Sequence, residues 1–269
     1  MKFLLQTIKG KVVHDFVFEM EHAVEYQEWC GNTCETLYCE LGDLESVALE
    51  NPEEWTPVGT IEFVLKFIDV FVKKNGSEHV HPLNVPECLF PYAGRFIRNY
   101  KIDSTNRNTV IAEINSWNGS GREVFIKSNE KIKDKRNDFY RVKDMFNLDV
   151  LPNGDYQVSE YMEIVSEWRC FIYNGKMVGL QNYSGDFTVF PEVEHIKDYI
   201  NVFMKNEGNE NLAYTLDVVV DEIGETRVLE MHDFFSCGLY GFFDYKKLPY
   251  MFIRTFKNIC RKLNNIKTN

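Results

Sequence analysis

The segment VLEMHDFFSCGLYGF, residues 228–242, places Glu230, His232 and Asp233 at the end of an apolar run and follows them with aromatic residues and glycines. Glu230 and His232 are two residues apart, so on a β-strand their side chains point to the same face. Asp217, in the preceding apolar stretch, faces them if the two stretches pair as a hairpin. Carboxylates placed in this way suit Mg²⁺ shared with substrate phosphates, and a solvated hairpin end with scattered acidic side chains is the alternative.

The segment FIKSNEKIKDKR, residues 125–136, is the densest positively charged stretch in a chain whose formal net charge is −11. Lys127 directly follows the apolar residues Val-Phe-Ile, and Lys133 lies in the polar stretch after it. A bound polyphosphate would account for this cluster, although runs of charge are commonly solvated loops. The chain has no glycine-rich Walker loop, which argues against a P-loop nucleotide site.

The segment SEYMEIVSEWRCFI, residues 159–172, carries acidic residues on both sides of a short break between two strands. Glu160 ends the first strand, and Glu167 and Arg169 alternate onto one face of the second. The acid and the guanidinium can form a structural ion pair across the sheet. Alternatively, the acid binds sugar hydroxyls while the planar guanidinium binds phosphate.

The first hundred residues alternate between strand and helix patterns. Apolar runs predict strands at residues 1–8 and 36–41, with a helix at residues 18–31 between them. Residues 56–76 give the clearest helix prediction, because apolar residues recur with helical spacing and Pro57 suits a first turn. This alternation predicts a small α/β lobe.

The remainder of the chain is richer in β-strand patterns. The polar, Asn- and Ser-rich segment 101–123 is interpreted as a connector that contains a weak strand. Asn174-Gly175 predicts a tight hairpin, and residues 192–206 and 248–265 predict helices.

Length and composition exclude several functional classes. The chain has 269 residues, 44% of them hydrophobic, which is typical of a folded globular protein. A net charge of −11 disfavours binding to nucleic acid or to anionic membranes. We expect a cytoplasmic protein, because we recognise no export signal, no uncharged segment long enough to span a bilayer and no disulfide spacing among the seven cysteines.

The ordered set of these segments resembles the ATP-grasp superfamily. The likeness is greatest to the compact phage- and bacterium-associated members that carry a second lysine shortly after the first. VFIKSNEKIK is similar to their lysine element, SEYMEIVSEWRCFIYNGKMVGLQNY to their hinge and hairpin, and LDVVVDEIGETRVLEMHDFFSCGLYGF to their metal-binding ending. TPVGTIEFV resembles a segment that precedes these elements, so the likeness extends over residues 55 to 243.

The resemblance implies a mixed α+β and α/β architecture. Two small α+β subdomains would grip ATP between them, preceded by a small N-terminal α/β lobe. The corresponding division is residues 1–100 for the lobe, 101–161 for the lysine-bearing subdomain and 162–269 for the metal-binding subdomain.

The resemblance also assigns roles in nucleotide binding. Lys127 would contact the α- and β-phosphates, and Lys133 would reach a phosphate from a loop. Glu160 would meet the adenine amino group beside the backbone of Tyr161 and Met162. In the hairpin that follows, Glu167 would hold the ribose hydroxyls and Arg169 would face the γ-phosphate and the acyl phosphate formed from it.

For the metal, the resemblance implies Mg²⁺ held by Asp217, Glu230 and the residue at position 232. The family usually has asparagine there, whereas this chain has His232. An imidazole suits manganese or zinc better than magnesium, and Asp233 is an alternative oxygen donor.

The activity that follows from the resemblance is an ATP-dependent carboxylate–amine or carboxylate–thiol ligase. It would act through an acyl phosphate, release ADP and phosphate, and take small-molecule or peptide substrates. A degenerate nucleotide-binding module, favoured by His232, and a small-molecule kinase are the alternatives. Arg95 is a candidate for holding the acceptor carboxylate or is simply an arginine on a surface helix.

Overall fold

The computed structural model describes residues 1–80, 84–119, 123–128, 139–142, 151–207, 213–235 and 237–265. These residues contain one three-stranded β-sheet and two four-stranded β-sheets. The strands and α-helices in chain order are β1 (Lys2–Thr7), α1 (Asp15–Trp29), β2 (Glu35–Glu40), β3 (Trp55–Val58), α2 (Ile61–Phe67), β4 (Ile97–Ile102), α3 (Arg107–Gly119), β5 (Val124–Ser128), β6 (Phe139–Val142), β7 (Gly154–Glu160), β8 (Ile164–Tyr173), β9 (Lys176–Gly185), α4 (Val193–Glu207), β10 (Ala213–Asp221), β11 (Thr226–Asp233) and α5 (Leu248–Asn265).

The N-terminal sheet has the order β2-β1-β3, and both outer strands run parallel to β1. Phe3 and Leu5 point to one face of β1 and pack against α1, whereas Leu4 points to the other face and packs against α2. α5 contributes to the apolar cores on both faces, so the C-terminal helix ties the N-terminal sheet to the rest of the chain.

The predicted helix at residues 56–76 is wrong at its start. Pro57 lies in β3, opposite Leu4 of β1, and an edge strand tolerates proline because the missing N–H is not needed for pairing. The helix begins only after Thr60, whose side chain accepts a hydrogen bond from Phe63 N–H at 3.2 Å. A π-helical turn, Ile68–Val72, extends α2.

The second sheet has the order β4-β7-β5-β6 with antiparallel neighbours throughout. The segment 101–123, interpreted from its sequence as a connector with a weak strand, instead contains the end of β4 and the helix α3. Val110 and Ile114 of α3 are buried in the same core as Val124 and Ile126 of β5. Packing of one helical face against the sheet therefore offsets the weak helix propensity of this polar segment.

The third sheet has the order β11-β10-β8-β9 and is antiparallel. β10 is buried at every position, with α4 packed on one side and α5 contacting the strand as well. The predicted hairpin at Asn174-Gly175 is confirmed: it joins β8 to β9, and both residues have positive φ, 51° and 70°.

The three sheets follow the order of the predicted division at residues 1–100, 101–161 and 162–269, which stays a prediction. β4 begins at Ile97, so the second sheet starts before residue 101. None of the helices in the described ranges has the length and apolar character needed to cross a membrane. All seven cysteines are free thiols.

Gly185, at the end of β9, allows a close backbone contact. Its φ is +73°, and a Cβ there would lie 2.2 Å from the carbonyl oxygen of Val165. We expect Gly185→Ala to lower the free energy of unfolding by about 3 kcal/mol. Gly224→Ala is the control, since Gly224 has a similar φ of +85° with nothing within 4 Å of the added Cβ, and it should cost about 1 kcal/mol. Urea unfolding measures both, and equal losses would contradict the steric explanation.

Candidate active site

Three adjacent strands of the third sheet carry the acidic and basic residues of the candidate site. Asp217 on β10 lies opposite Glu230 on β11 and opposite Arg169 on β8. His232 follows two residues after Glu230, opposite Thr215. Because paired residues of neighbouring strands share a face, these side chains converge on one side of the sheet.

Asp217, Glu230 and His232 form a compact cluster of potential metal ligands. Each offers one ligand atom, and these atoms lie within 4.8 Å of one another. The mixed oxygen and nitrogen donors fit a divalent cation, and the imidazole favours manganese or zinc over magnesium. Asp233, the alternative oxygen donor, lies opposite Tyr214 and so points to the other face of the sheet. The structure therefore brings His232, and not Asp233, to the cluster.

Arg169 binds Asp217 with two hydrogen bonds, from Nε to Oδ1 at 2.8 Å and from Nη2 to Oδ2 at 2.7 Å. Both side chains are withdrawn from solvent, and Asp217 is 0% exposed. Tyr183 adds a hydrogen bond from its hydroxyl to Asp217 Oδ2 at 3.3 Å. The carboxylate of Asp217, one of the three potential metal ligands, is thus held by the planar guanidinium of Arg169.

The side chain of Lys127, on β5 of the second sheet, reaches the third sheet. Its Nζ donates to Glu230 Oε2, and the other carboxylate oxygen, Oε1, contacts His232 Nε2. Lys127 is 8% exposed, so this ion pair is largely shielded from water. The pair joins the lysine predicted to bind phosphate with a carboxylate predicted to bind metal.

Burial and paired charges act in opposite directions on the two carboxyl groups. Burial raises the pKa of Asp217, and the two hydrogen bonds from Arg169 oppose that effect. Burial also tends to raise the pKa of Glu230, but Lys127 and His232 outweigh it and hold the pKa of this carboxyl well below its usual value. Glu230 is therefore a carboxylate ready to bind cations.

A cavity of about 370 Å³ opens beside Lys127 and Glu230, between the second and third sheets. Five residues with predicted roles in nucleotide binding line this cavity together with the predicted metal ligand Glu230: Lys127, Glu160, Tyr161, Met162 and Glu167. Arg169 lies behind Tyr183, which lines the cavity, and Cζ of Arg169 is 5.5 Å from the centre of that ring. Lys133 lies outside the described residues.

The segment between β7 and β8 forms one wall of the cavity. Both the backbone and the side chain of Glu160 are bonded to Phe96. The N–H of Glu160 donates to the carbonyl of Phe96 at 3.0 Å, and its Oε2 accepts from Phe96 N–H at 3.1 Å. Tyr161 N–H donates to the carbonyl of Glu123 at 2.8 Å. This wall is therefore held in place by the residues that directly precede β4 and β5.

A family model described as ATP-grasp domain, R2K clade family 2, matches residues 94–248, which is more than half of the chain. The chain belongs to this ATP-grasp family. The predicted membership of the ATP-grasp superfamily and the predicted ATP-grasp fold are thereby confirmed. No curated protein sequence matches the chain.

Solved structures have the same fold as this ATP-grasp protein. D-cycloserine synthetase DcsG is 12% identical with a TM-score of 0.57, and the match covers 98% of this chain and 100% of that one. D-alanine–D-alanine ligase from Bacillus anthracis, complexed with ATP, is 10% identical with a TM-score of 0.51 and 97% of both chains covered. Macrocyclase MdnC from Microcystis aeruginosa, bound with precursor peptide MdnA, is 11% identical with a TM-score of 0.51, and 97% and 100% are covered. At such identities the likeness concerns the fold.

Tyr183 is a site residue of this ATP-grasp protein that sequence reasoning missed. The register of β8 with β9 shifts between Glu167 and Trp168, which lie opposite Ser184 and Asn182, so Tyr183 is the extra residue of a β-bulge. A bulge turns its side chain away from the simple alternation of a strand. The polar surroundings of Tyr183 in the sequence give no signal of this orientation.

Arg95 is not an arginine on a surface helix, whereas its role in holding the acceptor carboxylate stays a prediction. It precedes β4 and is not in a helix, and its guanidinium donates to the carbonyl oxygens of Val228 and Leu229 of β11, each at 3.1 Å. Burial lowers the pKa of Arg95 to about 10, and the nearby Glu230 carboxylate opposes this effect. Arg95 therefore fixes the second sheet to the third at the edge of the cavity.

The loop after β11 lies over Arg169. Arg169 Nη1 donates to the carbonyl of Gly238 at 3.3 Å, and Leu239 N–H donates to Oδ2 of Asp15, the first residue of α1. Tyr240 has a left-handed backbone with φ of 48°, and its ring stacks on that of Tyr183 at 5.1 Å. The loop is thus held between the third sheet and the N-terminal lobe.

Proposed function

We propose that this ATP-grasp protein binds ATP with a divalent metal ion in the cavity between its second and third sheets and uses the γ-phosphate to activate a carboxylate. The main support is that Lys127 and Glu230 line this cavity in contact with each other, and that Glu230 belongs to the cluster with Asp217 and His232. A positive amine and a set of metal ligands at one place suit a metal-bound triphosphate.

In this proposal the adenine occupies the wall formed by Glu160, Tyr161 and Met162. Tyr161 N–H is already bonded to Glu123, so we assign the backbone contact with the adenine ring to Met162 N–H. The Glu160 carboxylate accepts a hydrogen bond from the adenine amino group, and the Glu167 carboxylate accepts hydrogen bonds from the ribose hydroxyls. Lys127 then lies at the far end of the cavity for the phosphates.

Asp217, Glu230 and His232 hold the metal in the proposed complex. When bound, the ion neutralises phosphate charge, and Mg²⁺ and Mn²⁺ are the candidates. Lys127 shifts from Glu230 to the phosphates, and Arg169 lies behind Tyr183 within reach of the charge on the transferred phosphoryl group. Lys133 is proposed as the second phosphate lysine.

The proposed reaction has two bond exchanges. An oxygen of the substrate carboxylate attacks the γ-phosphorus, the bond to ADP breaks, and an acyl phosphate forms. An amine nitrogen or a thiol sulfur then attacks the acyl carbon, phosphate leaves, and the nucleophile loses a proton. Positioning and electrostatic stabilisation by Lys127, Lys133 and Arg169 are the protein's part in the first exchange.

The names of the structural relatives suggest substrate classes for this proposal. Two are a synthetase and a ligase of small molecules, and one is a macrocyclase bound with a precursor peptide. We therefore propose small-molecule or peptide carboxylates and amines as substrates. Seven free thiols support a reducing, cytoplasmic location.

Incubation with ATP, Mg²⁺ or Mn²⁺ and a panel of carboxylates and amines tests the proposed reaction. The expected result is stoichiometric release of ADP that requires both a carboxylate and a nucleophile. A stable phosphorylated product would instead show a small-molecule kinase. Tight ATP binding without turnover over the whole panel would show a degenerate binding module, the reading that His232 favours.

The ribose contact of Glu167 has its own test. We expect Glu167→Gln to weaken ATP binding about tenfold, because a hydrogen bond to a charged group contributes roughly 1.5–3 kcal/mol. The affinity of the wild-type protein for 2′,3′-dideoxy-ATP should be lower than its affinity for ATP by a similar factor. The variant should bind both nucleotides with equal affinity. Glu163→Gln is the control, since Glu163 does not line this cavity. Calorimetric titration measures the affinities, and an equal preference for ATP in variant and wild type would contradict the contact.

A further inference from the structure

The solvent-facing side of α1 carries aromatic rings that the described chain leaves exposed. Phe18 near its start is 50% exposed, and Trp29 at its end is 82% exposed. Tyr38 of the edge strand β2 is 54% exposed, and Phe243, in the loop after β11 that we call the active-site loop, is 64% exposed. Large apolar groups grouped in this way mark an interaction surface.

Several of these rings contact neighbouring rings, in two groups. The ring of His22 lies 4.4 Å from that of Phe18 and 6.3 Å from that of Tyr245, and the ring of Tyr245 lies 6.2 Å from that of Phe243. Further along α1, the rings of Tyr26 and Trp29 are 6.0 Å apart. One group of rings therefore lies at the start of α1 beside the loop after β11, and a second group lies at the end of the helix.

Carboxylates alternate with the rings. α1 contains Asp15 and four glutamates and has neither lysine nor arginine. Glu21 accepts a hydrogen bond from the hydroxyl of Tyr38, and Glu19 accepts one from that of Tyr245, both at 2.7 Å. Burial, followed by neighbouring carboxylates that include Glu25, raises the pKa of both tyrosines to about 12. Carboxylates of α1 thus contact both Tyr38 of β2 and Tyr245 of the segment after β11.

We define the acidic aromatic surface by its exposed or half-exposed members, namely Phe18, His22, Glu25, Glu28, Trp29, Tyr38, Phe243 and Tyr245. Ring faces attract cations, and nearby carboxylates add a second attraction. The apolar stems of lysine and arginine cover rings while their charged heads reach carboxylates. The chemistry of this surface therefore fits lysine and arginine side chains.

The N-terminal end of the surface meets the active-site loop. Asp15 bonds to Leu239 N–H at 2.9 Å, two residues before Gly241 and four before Phe243. A 15-residue helix is roughly 22 Å long, which about six or seven residues of extended chain can span. A chain lying along α1 would thus bring one end to the loop above Arg169.

We propose that the acidic aromatic surface binds a basic segment of a peptide substrate, about six or seven residues long, that lies next to the group that reacts. The naming of this peptide as a substrate rests on the proposed ligase function, whereas its binding does not. A second copy of this chain fits less well, because it would bring two carboxylate-rich surfaces together in a protein of net charge −11.

The test measures fluorescence anisotropy of two labelled peptides without ATP, one of alternating arginine and leucine and one of alternating glutamate and leucine. We expect only the basic peptide to bind, more weakly at high salt. The double substitution Glu25→Lys with Glu28→Lys should weaken binding about tenfold or more, and Trp29→Ala should do the same. The matched controls are Glu222→Lys with Glu225→Lys and Phe187→Ala, all at exposed residues beside the strands of the third sheet, which should retain wild-type affinity.

Equal weakening by the control substitutions would overturn the proposal, since binding would then follow net charge alone. Sedimentation velocity tests the other occupant: self-association that Trp29→Ala abolishes would identify the surface as an interface between copies of the chain and would also overturn the proposal. ATP turnover is measured separately. A protein that binds the basic peptide on α1 but shows no ATP-dependent ligation would contradict the proposed function and would still support the proposed binding surface.

Discussion

Replacing Glu230 with glutamine is expected to strengthen the binding of metal-free ATP and to weaken the binding of ATP with a divalent metal. Glu230 holds Lys127 with one carboxylate oxygen and contacts His232 with the other. ATP phosphates must therefore displace Glu230 from Lys127, and glutamine removes the competing charge. The same substitution replaces a charged metal ligand with a weaker, neutral one.

The effect should be large because the ion pair is shielded from solvent. The side chains of Lys127 and Glu230 are 10% and 21% exposed. Removing one partner of a buried pair leaves the other charge uncompensated, at a typical cost of 3–5 kcal/mol, and bound phosphate would relieve part of that cost. We expect roughly tenfold tighter binding of ATP in EDTA and roughly tenfold weaker binding with Mn²⁺ or Mg²⁺.

Calorimetric titration with ATP, in EDTA and in each metal, measures the coupling between metal and nucleotide. Glu222→Gln is the control, because it removes one negative charge from the exposed turn between β10 and β11. A Glu230→Gln protein that keeps the wild-type dependence on metal would show that Glu230 is not shared between Lys127 and the metal. It would leave the ATP-grasp fold untouched.

The candidate metal cluster was predictable because it depends on local rules. Glu230 and His232 share a face through the two-residue period of a strand, and Asp217 faces them through one antiparallel hairpin. The same alternation places the side chain of Asp233 on the opposite face of the sheet. Sequence reasoning therefore succeeds where side chains belong to one hairpin with a recognisable turn.

Direct contacts between distant segments do not follow from the spacing of residues in the sequence. Lys127 and Glu230 are 103 residues apart and lie in different sheets, so no spacing in the sequence indicates their pairing. The helix prediction for Pro57 is wrong because its parallel partner Leu4 is also distant in the chain. Tyr183 was missed because a β-bulge, which depends on the partner strand, sets its orientation.

The helix α3 shows that amino-acid composition alone does not predict every helix. Its sequence, RNTVIAEINSWNG, is rich in residues that favour turns over helix interiors. Val110 and Ile114 nevertheless lie four residues apart and are buried against the second sheet. A helical period was present in the segment, but the abundance of asparagine and serine outweighed it in the prediction.

The pair of Arg169 and Asp217 gives the largest expected effect on stability. Arg169→Met leaves the Asp217 carboxylate, which is 0% exposed, with only the hydroxyl of Tyr183 as a strong donor among the described contacts. We expect the free energy of unfolding to fall by about 3–5 kcal/mol. The double substitution Arg169→Met with Asp217→Leu removes both charges and should recover most of the loss, because a buried ion pair and an apolar pair of similar size are often equally stable.

Urea unfolding of the single and double variants tests this non-additivity, and ATP turnover separates stability from chemistry. Lys197→Met is the control, since it breaks the exposed pair with Glu194, whose side chains are 53% and 71% exposed, and should cost less than about 1 kcal/mol. The double variant is expected to be folded yet inactive, because it has lost both the guanidinium and a metal ligand. A double variant as unstable as the sum of its single substitutions would contradict the argument that an uncompensated buried charge causes the loss. A stable and active one would remove Arg169 and Asp217 from the proposed mechanism.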